Sequence, residues 1–189
     1  MTTLDNPNAP ITSGDPSPWP VAMRYGLITG LALVVVSLAT QLTGVVDPAT
    51  GKNSWIALLI SVAIMVWGMS AAITKHRDEN LGGYISYGKA LGIGALTALI
   101  FMVISSIYTL LYFTVIDPGI VDQIYDAAVA NMEDQGMSDE QIEQSMKFMS
   151  WMMNPALMTI MGFISNYFIA FIIDLIVAAV NSKKPPEAA

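Results

Sequence analysis

Cysteine is absent from the 189 residues, and charged residues make up only 12% of them. Without cysteine the chain forms no disulfide, no thiolate metal site and no thiol nucleophile. Soluble domains carry about a quarter charged residues, so this charge content excludes an ordinary soluble globular protein. Basic residues are fewer than acidic residues, with 8 Lys and Arg against 15 Asp and Glu. A formal net charge of −7 disfavours binding to the phosphates of nucleic acid.

Motifs for catalysis are missing as well. The sequence has a single histidine, His76, and no phosphate-binding loop, dinucleotide fingerprint, metalloprotease helix motif or serine-nucleophile motif. His76 lies among cations in a short polar stretch, which we expect to be a solvated loop. The sequence therefore predicts no catalytic residue, no cofactor and no metal site, and a protein that is not an enzyme.

Apolar residues, in contrast, account for 54% of the chain and are concentrated in four long stretches. About 20 apolar residues in an α-helix cross the hydrocarbon core of a bilayer. A segment in lipid has to be helical, because its backbone groups find no other hydrogen-bond partners there. The predicted fold class is all-α, a polytopic membrane helical bundle with four transmembrane helices. The predicted spans, within a membrane domain of residues 20–184, are 21–46, 55–74, 88–116 and 156–180.

Both ends of the chain are predicted to be cytoplasmic. Residues 1–19 contain four prolines and no Lys or Arg, which argues against a cleavable signal peptide and predicts a disordered tail, and residues 185–189 form a second tail. Six cations fall on the side of the termini, while only Lys52 and Lys147 fall on the other side. By the positive-inside rule, the chain is expected to be a multi-pass protein of the bacterial inner membrane.

The segment 117–155 is predicted to form an external, acidic pair of amphipathic helices. Apolar residues recur at helical spacing in its first half, up to a stop at Gly136. Ser138 and Gln141 have the spacing of a capping box at the start of its second half. These helices either pair as a hairpin above the bundle or lie on the membrane surface.

Methionines cluster on the apolar face of the second external helix, among them Met146, Met149 and Met153. Thioethers are soft ligands that suit Cu(I), so copper binding is one interpretation of this cluster. The other is that methionine serves here as an adaptable apolar side chain on a face that is buried anyway.

Two glycine pairs with four-residue spacing open the first and third spans. They are Gly26 with Gly30 and Gly88 with Gly92, and we expect them to lie at the same membrane depth. Small residues at this spacing let helices approach closely, so the first and third spans are predicted to touch at these glycines, within one chain or between two. Both spans also close on Asp-Pro, which indicates either a duplicated hairpin or two independent uses of a helix-ending signal.

Asp174 is an acidic residue within the last predicted span. An ionised side chain at the centre of a membrane helix costs about 2.5 to 3.5 kcal/mol, so we expect Asp174 to have a partner. Arg24 and Lys89, at the ends of their spans, are the candidate ion-pair partners. The pair would fix the helix register; the alternative is a proton or cation relay. Asn166, two turns away, extends this polar face and is expected to hydrogen-bond another helix.

The order of these features resembles a known family. The polar run 75–90 (KHRDENLGGYISYGKA) precedes a long span that ends in 113–118 (FTVIDP), followed by the acidic stretch 136–143 (GMSDEQIE) and a last span that closes on Lys183 and Lys184. This pattern is similar to a bacterial four-helix integral membrane family known as domain of unknown function forty-one ninety-nine. The resemblance covers about residues 21–184 and implies the four-helix fold without a reaction, ligand or site residue. Asp174 departs from the mostly apolar last span that the resemblance implies.

These observations lead to one functional hypothesis and two alternatives. The hypothesis is a non-enzymatic scaffold or accessory subunit whose partners are the lipid bilayer and, through helix packing, other membrane proteins or a second copy of itself. One alternative is a small transporter or channel-like protein that uses Asp174 and Asn166. The other is Cu(I) binding by the external methionines.

Overall fold

The computed structural model describes residues 16–185, so residues 1–15 and 186–189 of the tails predicted at 1–19 and 185–189 lie outside the described residues. Within the described part all regular elements are helices, and the external segment forms two of them. The helices are α1 (Trp19–Leu42), α2 (Ser54–Asn80), α3 (Tyr87–Leu111, continued by a π-helical turn Tyr112–Ile116), α4 (Ile120–Asp134), α5 (Asp139–Ser150) and α6 (Pro155–Asn181).

Four of these helices are long and apolar enough to cross a membrane: α1, α2, α3 with its π-helical turn, and α6. Their outer surfaces expose large apolar side chains such as Leu31, Ile107 and Ile164. Soluble monomers rarely expose such continuous apolar surface. The bundle is therefore that of a multi-pass membrane protein, as the sequence predicts.

Two helix ends differ from the predicted spans. Helix α1 ends at Leu42, four residues before the expected limit, because the chain turns at Gly44 with a left-handed φ of 65°. Helix α2 continues to Asn80 instead of ending at Thr74. Hydropathy marks where the chain enters lipid, but a helix continues through polar residues beyond that point. The predicted loop around His76 is therefore the last turns of α2.

Helix α3 is the centre of the bundle and packs against α1, α2 and α6, while α1 and α6 have no comparable contact. Gly26 and Gly30 of α1 face Ile100 and Ile104 of α3 in the same order, so these two helices are parallel. Helix α6 runs opposite to α3. The start of α1 and the end of α6 thus lie at one end of the bundle, here called the terminal end; the loop 43–53 and α4–α5 lie at the other, the loop end.

The glycine contacts explain the close approach of α1 and α3, and they correct the predicted register. A Cβ added to Gly26 would lie 2.7 Å from the Cβ of Ile100, so nothing larger than glycine fits without a shift. The same addition at Gly88 or Gly92 would meet no atom within 4 Å. The two glycine pairs therefore do not touch. Gly88 precedes Ile100 by 12 residues, which is about 18 Å along a helix, so the pairs lie at different depths.

The external helices form as the sequence predicts. Helix α4 ends in a Schellman motif at Gly136, where Met137 N–H donates to the Met132 carbonyl at 3.1 Å. Ser138 and Gln141 form both hydrogen bonds of a capping box. Helices α4 and α5 contact each other more than they contact the membrane-spanning helices. Both helices lie at the loop end, and the choice between a packed hairpin and two helices on the membrane surface stays a prediction.

Candidate functional site

The most unusual group in the bundle is the carboxylate of Asp174, which is 0% exposed in the interface between α6 and α3. It lies directly against the backbone of Gly94, where an added Cβ would overlap both carboxylate oxygens. Neither oxygen has a hydrogen-bond partner among the described residues, although the backbone of Ala95 lies nearby. Asp174 precedes the end of α6 by seven residues, or about 10 Å, so it lies toward the terminal end.

The ion pair predicted for Asp174 is not formed. Within residues 16–185 the ion pairs are Lys75 with Glu79 and Arg77 with Asp78. Arg24 is exposed on α1, and α3 separates α1 from α6. Lys89 is also exposed and borders a cavity with His76 and Leu81, on the side of α3 that faces α2. Both cations therefore lie on other faces of the bundle, away from the α3–α6 interface that holds Asp174.

Asn166 occupies a different face of α6 from Asp174. It is exposed, although it lies within two residues of the middle of α6 (Pro155–Asn181). Its Nδ2 donates to the carbonyl oxygen of Gly162 at 2.8 Å, and no other hydrogen bond joins it to a described residue. Its amide oxygen therefore remains an unused acceptor near the middle of an apolar surface. The polar face that the sequence predicts to join Asn166 and Asp174 is not continuous.

Asn166 borders a small groove between the halves of α3 and α6 nearest the loop end. The groove has a volume of ≈ 80 Å³, and its polar lining residues are Ser105, Ser106, Thr109, Thr159 and Asn166. The hydroxyl of Ser105 is buried without a hydrogen-bond partner among the described residues. The groove thus combines small residues, which allow a close helix approach, with polar atoms that lipid cannot satisfy.

A polar network at the terminal end was not found by sequence reasoning. Asn181, the last residue of α6, accepts a hydrogen bond from Ser70 Oγ on α2 at 3.1 Å. The guanidinium of Arg77 donates to the carbonyl oxygen of Asn181 at 3.0 Å and also pairs with Asp78. These bonds join the end of α6 to α2 at Ser70 and Arg77. The sequence signal for this network was a polar residue, Asn181, at the end of an apolar run. The structure places this residue close to the cations of α2.

The chain beyond α6 is held at the same end. The backbones of Ile85 and Lys183 exchange two hydrogen bonds of 2.9 Å, and the ammonium of Lys183 lies 5.5 Å from the centre of the Tyr84 ring. His76 is 3% exposed and shares a 3.0 Å hydrogen bond with Asn80, so the expectation of a solvated histidine is wrong. Its burial follows from the extension of α2.

Metal-ligating side chains are not gathered in the described part of the chain. No group of three or more His, Cys, Asp or Glu there has the geometry to hold a metal ion. Of the external methionines, Met146 is buried and Met149 is half-buried on α5, whereas Met153 is half-buried in the turn beyond the end of α5 at Ser150. The burial of Met146 and Met149 agrees with the apolar face predicted for α5, while the predicted stripe does not continue as helix to Met153. Cu(I) binding by these thioethers stays a hypothesis.

Four apolar helices with a lipid-compatible outer surface define the class: a multi-pass α-helical membrane protein. Within that class, the chain belongs to the family described as protein of unknown function (DUF4199), whose model matches residues 24–183. The match includes the four membrane-capable helices almost completely and both external helices. No curated protein and no solved structure is significantly similar to the chain.

Proposed function

We propose that this protein is a non-enzymatic membrane scaffold or accessory subunit that assembles through helix packing, and that α6 provides its assembly surface. The observation that carries the proposal is the exposed amide of Asn166 near the middle of α6. Lipid offers this amide no hydrogen-bond partner. Amides at such positions hydrogen-bond neighbouring helices, and each bond stabilises the association by about 0.6 to 2 kcal/mol.

A second copy of the chain is the partner that this amide fits best. In a two-fold dimer with its axis along the membrane normal, each residue near the axis faces its own counterpart at the same depth. An amide both donates and accepts, so two Asn166 side chains are complementary to each other. The small residues beside Asn166, Gly162 and Thr159, leave room for a close approach.

The transporter alternative finds less support in the geometry. Its two polar residues, Asp174 and Asn166, lie on different faces of α6, and the groove that borders Asn166 does not include Asp174. Transporters bind their substrates near the midplane with several convergent polar groups on broken helices. Asp174 instead fills the close contact with Gly94. The arrangement favours a structural role for the Asp174 carboxyl over a role in transport.

Energy transfer between labelled copies tests the proposal. Because the chain has no cysteine, a single cysteine at the exposed position Glu143 of α5 allows donor and acceptor labelling in liposomes of varied protein content. Asn166→Leu is expected to weaken self-association about threefold to thirtyfold. Asn166→Gln, which keeps the amide, should retain part of it, and Ile169→Leu on the same exposed side is the matched control.

Two outcomes would contradict the scaffold proposal. One is a pair of results: the wild type and Asn166→Leu self-associate equally, and a mild-detergent pull-down with the variant recovers every membrane-protein partner that the wild type recovers. The other is a specific solute flux in wild-type liposomes that Asp174→Asn abolishes, since that result would establish the transporter alternative.

A further inference from the structure

A second groove opens to the bundle surface between α2 and α6. Six apolar side chains line it along most of its length, and it has a volume of ≈ 330 Å³, with Ser70 and Asn181 as its polar residues. The apolar lining residues are Val62, Val66, Ile173, Ile176, Val177 and Val180. From Val62 to Ser70 the groove follows about 12 Å of helix.

The direction of this groove gives it one apolar and one polar end. Ser70 and Asn181 hydrogen-bond each other where α6 ends, so the polar end is also the terminal end of the bundle. The apolar part runs from there toward the middle of the helices. In a bilayer, a cleft with this orientation is parallel to the acyl chains of one leaflet, with its polar end at the headgroup level.

Cations gather just beyond the polar end. Arg77 contacts the carbonyl oxygen of Asn181, and the ammonium of Lys183 lies close enough to Asp78 to interact with it electrostatically. Two cations, Arg77 and Lys183, and one carboxylate, Asp78, lie at this corner, which leaves it with a net positive charge. Basic clusters at the headgroup level attract anionic lipids.

We infer that the groove between α2 and α6 is a binding site for an anionic phospholipid. One acyl chain lies along Val66 and Val177, and the phosphate lies at the corner of Arg77 and Lys183. Lipid tails are as apolar as the groove, so the tail contact sets the position of the lipid and contributes little preference. The preference comes from the charged corner. This inference is independent of self-association through Asn166.

Native mass spectrometry of the full chain, released from detergent micelles with added lipid, tests the site. Phosphatidylglycerol is expected to bind more tightly than phosphatidylcholine, and Lys183→Gln should weaken phosphatidylglycerol binding about fivefold while leaving phosphatidylcholine binding unchanged. Lys147→Gln, which removes an exposed cation at the loop end, is the charge-matched control and should have no effect. Lys183 is preferred to Arg77 for this test because Arg77 also joins α2 to α6.

The location needs a second measurement. Phosphatidylglycerol with a photoreactive acyl chain should crosslink to residues 62–70 and 173–180 in liposomes, and Val66→Trp should remove these crosslinks by filling the groove. Ile164→Trp, on the exposed surface of α6 outside the groove, should not. Equal binding of both lipids to the wild type would overturn the inference. So would crosslinks spread evenly around the bundle, or protein-to-protein crosslinks at the groove in place of lipid.

Discussion

The carboxylate of Asp174 and the backbone of Gly94 are in direct contact across the α3–α6 interface. Each of the two residues restricts which residue can lie opposite it. Only a residue without a side chain at position 94 leaves room for a buried carboxylate, and the carboxylate in turn excludes any larger residue from that position. No ion pair or side-chain hydrogen bond joins Asp174 to another described residue, so the close contact with Gly94 is the interaction that the structure shows for this side chain.

Gly94→Ala is expected to destabilise the bundle by about 1 to 3 kcal/mol, because the added methyl group overlaps Asp174 and forces the helices apart. The measurement is unfolding of the purified protein in mixed micelles, followed by circular dichroism. Gly92→Ala is the matched control two residues away. Its Cβ would meet open space, and alanine is favoured over glycine in a helix by about 1 kcal/mol.

The same contact can be tested with a double-mutant cycle. Asp174→Ala removes the atoms that the new methyl group would strike, so Gly94→Ala should cost less in the Asp174→Ala background than in the wild type. Additive effects of the two substitutions would show that the two side-chain positions are not in contact.

Asn181→Ala should loosen the terminal end of the bundle. The substitution removes the acceptor of the Ser70 hydroxyl, and the loss of this partly buried hydrogen bond is expected to cost about 0.5 to 1.5 kcal/mol. The Arg77 contact to the backbone carbonyl of residue 181 should persist, since it does not involve the side chain. Hydrogen exchange measured by mass spectrometry should show faster exchange near 181 than in the wild type, with α4 unchanged. If the exchange rates near 181 were the same in the variant and in the wild type, the expected effect would be contradicted.

The loop between α1 and α2 should depend on pH through Asp47. The Thr50 hydroxyl donates to this carboxylate at 2.7 Å, and with the backbone N–H groups of Ala49 and Thr50 it holds the pKa of Asp47 below its usual value. A lowered pKa in the folded loop means that the ionised carboxylate favours this structure above the pKa of the unfolded chain, about 3.9. This contribution is lost as the pH falls through the lower, folded value. NMR titration of the Asp47 carboxyl in micelles measures the shift, which Thr50→Val should reduce; an unshifted titration in the wild type would refute the expectation.

The cation distribution predicts the orientation in the membrane, and labelling tests this prediction. Single cysteines introduced at Ser138, at the loop end, and at Gly82, at the terminal end, have no native thiol to compete with them. In intact bacterial cells, a membrane-impermeant maleimide should label the cysteine at 138 and reach the cysteine at 82 only after permeabilisation. The reverse pattern would place the termini outside and invert the predicted topology.

Several features could be predicted from the sequence because they depend on one segment at a time. The transfer of an apolar run into lipid is decided by its own composition and length, so the four membrane-capable helices were predictable. The stop at Gly136 and the capping box at Ser138 depend on residues only a few positions apart. The apolar faces of α4 and α5 follow from helical periodicity in the same way.

Contacts between spans could not be predicted in this way. The mistaken alignment of Gly88 with Gly26 and the missing ion pair of Asp174 have a common cause. The axial shift and rotation of each helix against its neighbours depend on packing along whole interfaces, and the composition of a single span does not encode them.

The sequence by itself thus determined the number of membrane-capable helices, the cation asymmetry between the two ends and the local signals that begin and end the external helices. Only the tertiary structure decided that Asp174 faces Gly94, that Asn166 is exposed and that α2 and α6 enclose a groove that ends at Asn181. The physical reason is that lipid selects segments by their own hydrophobicity, whereas helices select one another by the fit of their side chains.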